Sequence, residues 1–330
     1  MATQITNVPV QLACPVCKAD NPQASYQPKE MYYGTRQTFN YFQCSNCSAL
    51  YLSDPPAQMS SFYPENYHCH TPTEPSSLSA KQRLIAMRDR STLTGKGVIG
   101  QLMASIKSSP ELMHTLSYLN LSLSSKILDI GCGGGGLLLR LKALGFKHLT
   151  GVDPYLPEGI DTRISGFELK RDTVESINGK FDGIILNHSL EHMFEHARIL
   201  EIIKNLLEDK GKICIRIPLV GGKAWEEHKE NWFQLDAPRH VLLHSEKSFR
   251  SLATDCGLSV DKVIYDSDFK QFVRSQLYEK DISSVEFLNN YAGNMGRFFT
   301  ATEIEHYEKL SADSNQKKAG DQASFILSVS

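Results

Sequence analysis

The stretch Lys126-Ile127-Leu128-Asp129-Ile130-Gly131-Cys132-Gly133-Gly134-Gly135-Gly136 restricts the choice of folds more than any other part of this sequence. Its first five residues form a mostly apolar run of strand length. They lead straight into a glycine-rich turn, and an apolar helical stretch follows from Leu137 to Leu144, closed by Gly145. A buried strand, a glycine turn and a helix in that order open a βαβ unit. Glycines at such a turn let the backbone bend tightly and approach a bulky ligand without side-chain clash. Gly131-x-Gly133-x-x-Gly136 also meets the spacing of the dinucleotide fingerprint, which alone is a weak signal.

The alternation continues downstream. His148 to Asp153 reads as the next strand, followed by Phe167 to Lys170, Phe181 to Leu186 and Lys212 to Ile217. Helices are expected between them, most clearly over Ala197 to Leu207. A further helix, Ser245 to Cys256, leads into a strand over Ser259 to Tyr265, and Ala323 to Val329 is the last strand. This order predicts an α/β fold with a doubly wound sheet over residues 121–330, interrupted by a helical insertion at about 266–318. A length of 330 residues favours two units, or one large domain with an appendage. Residues 54–120 read as linker and helical segment, with helical patches at Lys81 to Arg90 and Pro110 to Leu119. Within the linker, Phe62 to His70 gathers polar-tipped aromatic groups, including Tyr67, and reads either as plain linker or as a coil pinned across a cleft.

Residues 1–53 read as a small zinc-ribbon-like module. Cys14-Pro15-Val16-Cys17 and Cys44-Ser45-Asn46-Cys47 each have the form of a zinc knuckle, in which two intervening residues let both sulfurs turn toward one ion. The first ten residues, Met1 to Val10, lack the basic-then-apolar pattern of a secretory signal, which favours metal over disulfides for these pairs. Four thiolates leave no open position, so the expected zinc is structural. Cys69, Cys132, Cys214 and Cys256 are scattered and read as small buried side chains.

Two carboxylates bear on the ligand of the glycine turn. Asp153, at the end of the second strand, stands where a carboxylate accepts ribose hydroxyls. Asp129, two residues before the first glycine, would oppose a pyrophosphate but suits a ligand carrying an ammonium and a sulfonium. With these residues in place, the sequence resembles the class I S-adenosylmethionine-dependent methyltransferases. The matching segments are Ile127 to Gly133, Gly151-Val152-Asp153, Phe181 to Ile185 and Gly211-Lys212-Ile213, in the family's order. The resemblance implies a Rossmann-like, seven-stranded sheet whose last strand runs antiparallel beside the fifth. It implies S-adenosylmethionine over Gly131, Cys132 and Gly133, with Asp129 near its amino-acid part. Asp153 would hold the ribose, Asp172 the adenine amino group, and Asn187 would offer backbone near the methionine portion.

Two clusters supply candidate proton acceptors. The first is Asn187-His188-Ser189-Leu190-Glu191-His192; on a helix, His188 and His192 would share a face beside Glu191. Its Leu190-Glu191-His192 resembles the ubiquinone-type branch of the family, which implies a divalent metal; His188 stands where that branch has an acid. The second is Asp236-Ala237-Pro238-Arg239-His240, after the fifth strand, which resembles a branch found with bacterial sugar and cell-surface glycan biosynthesis. Here His240 is the expected base, Asp236 its orienting partner, and Arg239 either a contact for an anionic acceptor or half of an inter-loop salt bridge.

Hydrophobic residues at 41%, charged residues at 22% and a net charge of −2 describe a cytoplasmic globular protein with no overall drive toward nucleic acid or anionic membrane. No apolar run reaches the roughly 18–20 residues of a membrane span, so no membrane insertion is expected. The expected activity is methyl transfer to oxygen on a small molecule, such as a nucleotide-linked sugar or glycan precursor. Methylation of RNA or protein gripped by the zinc module, and a nicotinamide-dependent oxidoreductase, are the competing readings. The sequence is silent on oligomeric state.

Overall fold

The computed structural model describes residues 13–20, 22–63, 79–156 and 167–330. Its centre is a seven-stranded sheet in the order β10-β11-β8-β7-β4-β5-β6. The strands are β4 (Lys126–Ile130), β5 (His148–Val152), β6 (Glu168–Lys170), β7 (Phe181–Asn187), β8 (Leu207–Pro218), β10 (Leu258–Tyr265) and β11 (Gln322–Val329). β4, β7 and the second half of β8 (213–218) are central and mostly buried on both faces, which is why they read as largely apolar runs. The final strand β11 lies antiparallel between β8 and β10, with Phe325 opposite Ile215 and Val263. The seven-stranded, Rossmann-like sheet with an antiparallel last strand is therefore present as expected.

Helix α4 (Gly136–Ala143) follows the glycine turn, and α5 (His196–Asn205) and α7 (Glu246–Asp255) flank the second half of the sheet. Before the sheet come α1 (Ala80–Thr94), α2 (Val98–Ile106) and α3 (Glu111–Ser117). α3 buries Met113 and Leu116 against Leu138 and Leu141 of α4. Buried Asp89 of α1 ties the same elements together, pairing with Arg140 at 2.7 Å. A short helix, α6 (Lys223–His228), begins the long connection after β8.

The N-terminal ribbon is β1 (Pro22–Tyr26), β2 (Tyr41–Cys44) and β3 (Leu50–Leu52), all antiparallel. Its sheet has a fourth strand drawn from far downstream. β9 (Leu242–Leu243) pairs with β3, placing Leu50 opposite Leu243 and Tyr51 opposite Leu242. Tyr41, Leu50 and Tyr51 share one apolar core with Trp225, Trp232, Phe249 and Phe325.

The insertion between β10 and β11 comprises α8 (Lys270–Glu279), α9 (Ser284–Tyr291) and α10 (Ala301–Gln316), packed around Val273, Leu277, Phe287 and Phe299. Arg36 of the ribbon reaches it, meeting Asp281 at 3.1 Å and Glu286 at 2.8 Å. No helix among the described residues is long and apolar enough to cross a membrane. Tyr67 and the rest of 64–70 lie outside the described residues, as does Cys69.

Candidate active site

The turn after β4 takes its shape from missing side chains. Gly131 has φ +71°, and a Cβ there would lie 2.3 Å from Cβ of Ser189, so only glycine fits. Two carboxylates lie beneath the turn. Asp153, 6% exposed, accepts hydrogen bonds from the Gly133 N–H at 3.0 Å and the Tyr155 N–H at 2.8 Å. Asp129 is 3% exposed, and no hydrogen bond to its carboxylate is present among the described residues. Burial, and then the charge of Asp153, push its pKa up to about 7. Two buried acids facing each other, one without a partner, make a hole suited to a cation.

The other predicted cofactor contacts divide. Cys132 is buried with Sγ against β5, where a Cβ on Gly151 would meet it at 2.7 Å. Asn187 ends β7, and its Oδ1 accepts from Arg216 Nη1 at 3.4 Å. Asp172 follows β6 at the same sheet edge, but it is exposed and its Oδ1 accepts from the Thr173 N–H at 2.8 Å.

Opposite the glycine turn, past the end of β7, the chain does not form the helix that the His188/His192 spacing suggested. His188 takes φ +54° and only Leu190–His192 is helical, as a single tight turn. The two histidines therefore face different neighbours. Arg216 Nη1 donates to Nε2 of His188 at 2.9 Å, which leaves Nδ1–H to donate to Glu191 Oε1 at 3.2 Å. With both ring nitrogens engaged, His188 is a bridge between Arg216 and Glu191 rather than a free base.

His192 and His240 meet edge to face, with ring centroids 4.6 Å apart. Nδ1 of His192 faces the Arg239 carbonyl at 3.1 Å and the Tyr63 hydroxyl at 3.0 Å. Nδ1 of His240 donates to the Gln234 carbonyl at 2.7 Å. Among the described residues, Nε2 is thus the nitrogen of each ring without a hydrogen bond. Burial, and secondarily the charge of His240, depress His192 to a pKa of about 4, so it is neutral at pH 7. Glu191 is 1% exposed, and its Oε2 has no hydrogen-bond partner among the described residues. Burial works against its charge, but the His188 hydrogen bond and the nearby histidines outweigh it and hold the pKa at about 2. Glu191, His192 and His240 each present one ligand atom, all within 4.8 Å of one another.

Arg239 is fully buried and is not exposed to an acceptor. It pairs with Asp236 at 2.6 Å and with fully buried Glu30 of the ribbon at 2.8 Å. The salt-bridge reading of the Asp236–His240 segment holds, and Asp236 serves Arg239 first, standing 4.0 Å from His240 Nε2.

Sequence reasoning did not single out Tyr63, Tyr155 or Arg216. Tyr63 stacks on Tyr155 at 4.8 Å and 14°, two residues past Asp153. Its signal was the polar-tipped aromatic segment that begins at Phe62. Arg216 is the one cation inside the apolar run of β8, and Asp266 pairs with it at 2.6 Å.

A family model described as "Methyltransferase domain" matches residues 104–263, a span that includes both the glycine turn and the Glu191–His240 cluster. Residues 104–263 are a methyltransferase domain. With its Rossmann-like sheet, the domain is of the class I, S-adenosylmethionine-dependent type.

Among curated relatives, "EEF1A lysine methyltransferase 2" of Homo sapiens is 27% identical over 34% of this chain and 47% of its own length. "tRNA U34 carboxymethyltransferase" of Campylobacter hominis is 29% identical over 29% and 37%. The chain thus spans less than half the length of these relatives. The solved structure titled "Crystal Structure of mycolic acid cyclopropane synthase CmaA1 complexed with SAH and CTAB" is 15% identical, with a TM-score of 0.44, over 68% of this chain and 84% of that one.

The ribbon attached to this methyltransferase domain gathers its four cysteines. Sγ atoms of Cys14 and Cys47 are 3.6 Å apart, those of Cys17 and Cys44 are 3.4 Å apart, and all four lie within 4.8 Å of one another. A tetrahedral ion with Zn–S bonds of about 2.3 Å needs sulfurs about 3.8 Å apart, so the set fits. The two knuckles are built alike: Lys18 N–H bonds to Cys14 O and Ser48 N–H to Cys44 O, each at 3.0 Å. The knuckles also bond to the domain, as Ser245 Oγ donates to Cys47 O at 2.7 Å.

Proposed function

We propose that this chain binds S-adenosylmethionine on the glycine turn and directs methyl transfer to an oxygen of a small polar acceptor, in the class of nucleotide-linked sugars or glycan precursors. The observation that carries this reading is the pair Asp129 and Asp153. One buried carboxylate lacks a hydrogen bond among the described residues and has a raised pKa, beside a second one braced by two backbone N–H groups. A pyrophosphate-bearing nicotinamide cofactor would meet repulsion there, whereas a cationic donor is attracted. Asp129 would pair with the donor's ammonium and Asp153 would accept its ribose hydroxyls. Cys132 and the glycines give it room, Asn187 would lie near its methionine part, and Asp172 would reach the adenine amino group. When bound, the donor supplies a methyl carbon already activated by positive sulfur.

The chain's own task is then to orient the acceptor and take its proton. His192 and His240 suit that task, since Nδ1 of each is held by a carbonyl oxygen and Nε2 keeps its lone pair. Glu191 would stabilise the imidazolium that forms, and His188 would hold Glu191 in place. A second reading is favoured by one observation: two histidines and the orphaned Glu191 Oε2 suit a divalent cation that would polarise the acceptor hydroxyl. We assign a structural zinc to Cys14, Cys17, Cys44 and Cys47. The ribbon's contacts with Arg239, Asp281, Glu286 and Ser245 join it to the rest of the chain, which supports bracing of the domain over gripping RNA or protein.

Isothermal calorimetry with S-adenosylmethionine tests the core of the proposal. Micromolar binding that Asp129→Ala abolishes is expected; absence of binding at millimolar donor would sink it. His192→Ala and His240→Ala should bind the donor as the natural chain does and turn over slowly. If neither variant slows turnover, the base assignment fails. Activity lost to a chelator and restored by a divalent ion, with donor affinity unchanged, would select the cation reading.

A further inference from the structure

The hairpin of α1 and α2 carries a surface that the methyl-transfer site does not use. α2 packs onto α1 through Gly100, where a Cβ would lie 2.4 Å from the Met87 carbonyl oxygen. That close approach fixes which way α2 faces. At about 100° per residue, Val98, Ile99, Leu102 and Ile106 fall on the side opposite Gly100. They are 82%, 60%, 65% and 82% exposed, and α1 adds Leu84 and Met87. Single exposed apolar residues are ordinary, but this many on one hairpin mark an interaction surface.

The charge of the hairpin indicates what covers it. Residues 79–110 contain six Lys and Arg and a single acid, Asp89. Asp89 is buried and paired with Arg88 and Arg140, so the hairpin presents no carboxylate. Against a net charge of −2 for the whole chain, this is a local excess of positive charge. Arg90 and Lys96, together with Lys147, line a recess of about 340 Å³ that also offers the hydroxyls of Thr94, Ser122 and Ser124. The recess is bordered by residues that precede β4 and β5, at the sheet edge opposite the glycine turn. Cations and hydroxyls around a small recess suit a phosphate group. Aliphatic side chains next to phosphate-binding cations match an anionic lipid surface, which offers both an apolar layer and charged headgroups. RNA would meet the cations but leave the aliphatic face in water.

We propose that the α1–α2 hairpin docks on the surface of an anionic phospholipid bilayer. Val98, Ile99, Leu102 and Ile106 enter the interfacial layer, and Arg90, Lys96 and Lys147 take lipid phosphates. The hairpin lies on the membrane and does not cross it. The proposal rests on no reading of the catalytic site.

Vesicle sedimentation of the full chain tests it, using phosphatidylcholine vesicles with and without phosphatidylglycerol. Retention is expected on the anionic vesicles only, weakening as salt rises. Ile99→Ser with Leu102→Ser should lower retention, and Lys96→Ser with Lys147→Ser should lower it about tenfold or more. All four positions are exposed, so thermal melting of these variants should match that of the natural chain. No retention on anionic vesicles, or equal retention on neutral ones, would overturn the proposal. So would light scattering that shows a dimer dissolved by the serine changes without vesicle binding. RNA retention without vesicle binding would overturn it as well.

Discussion

The phenol oxygen of Tyr63 and Nδ1 of His192 lie 3.0 Å apart, although 129 residues separate them in the chain. The same Tyr63 ring stacks on Tyr155, which follows Asp153. One side chain from just beyond the ribbon therefore touches both the donor side and the proton-accepting side of the site. Tyr63→Phe keeps the stack and removes the hydroxyl that steadies His192. We expect donor affinity to hold and turnover to fall by about tenfold, less than the roughly 100- to 10,000-fold supplied by an acid–base group itself, because Tyr63 acts through His192. Tyr63→Ala should weaken donor binding too. If the Phe and Ala variants behave alike, the hydroxyl has no part in positioning His192.

The glycine turn was legible in the sequence because every residue that shapes it is local: strand, turn and helix follow within about twenty positions. The strand–helix alternation was legible because central strands buried on both faces carry mostly apolar runs, and the antiparallel last strand followed from the family resemblance. The proton-accepting cluster was only half legible. Glu191, His192 and His240 were named, but helical spacing grouped His188 with His192, and the φ of +54° at His188 breaks that helix before it starts. Arg239 looked available in the sequence because burial does not show in a string of residues; its partner Glu30 lies 209 positions away. A two-residue strand such as Leu242–Leu243 has no periodicity to detect, so the ribbon's fourth strand had no sequence signal.

Asp129 gives donor binding a pH dependence. Its pKa in the free protein is about 7, so below that pH it holds a proton that a bound ammonium would displace. Donor affinity should be flat above pH 7 and fall about tenfold for each pH unit below it, with about one proton released on binding below pH 7 and none well above it. Asp129→Asn should bind weakly at every pH with no such slope. Calorimetry in buffers of different ionisation enthalpy reads the proton directly. A natural chain with a flat profile would remove Asp129 from the donor contacts.

Asp321 makes a different prediction, about stability. Its carboxyl is fully buried, accepts from Trp232 Nε1 at 2.7 Å, and is pushed from 3.8 up to about 7, chiefly by burial. The folded-state pKa is above the unfolded one, so its contribution is complete below about pH 4 and is lost as pH rises toward 7. Asp321→Asn keeps an acceptor for Trp232 and cannot ionise. Its unfolding free energy should therefore decline less than that of the natural chain between those pH values, as denaturant titrations would show.

Glu30 and Arg239 test how firmly the ribbon is bound to the domain. Both are fully buried; Glu30 also accepts from the N–H groups of Tyr32, Tyr33 and Thr35, and Arg239 is shared with Asp236. Glu30→Ala leaves buried Arg239 with Asp236 as its remaining carboxylate partner and breaks a fully buried ion pair, so it should cost about 3 kcal/mol in unfolding free energy. Adding Arg239→Met to that variant should cost less than the sum of the two separate changes, because the Glu30–Arg239 interaction is then lost only once. Additive costs would mean that the two residues do not interact.

The four cysteines decide whether the ribbon's metal matters to chemistry done by another part of the chain. β9 hydrogen-bonds to β3 directly after Val241, and the Tyr41 hydroxyl donates to the His240 carbonyl at 2.8 Å. Loosening the ribbon should therefore disturb His240 while leaving the glycine turn, on the other side of the site, intact. Cys17→Ser or stripping with a strong chelator should release one equivalent of zinc, lower the melting temperature and depress turnover, with donor affinity nearly unchanged. Restoring zinc to the stripped natural chain should recover turnover, and the Cys17→Ser variant should not recover. Equal loss of donor affinity and turnover would mean that the ribbon supports the whole fold and does not act through the His240 side of the site.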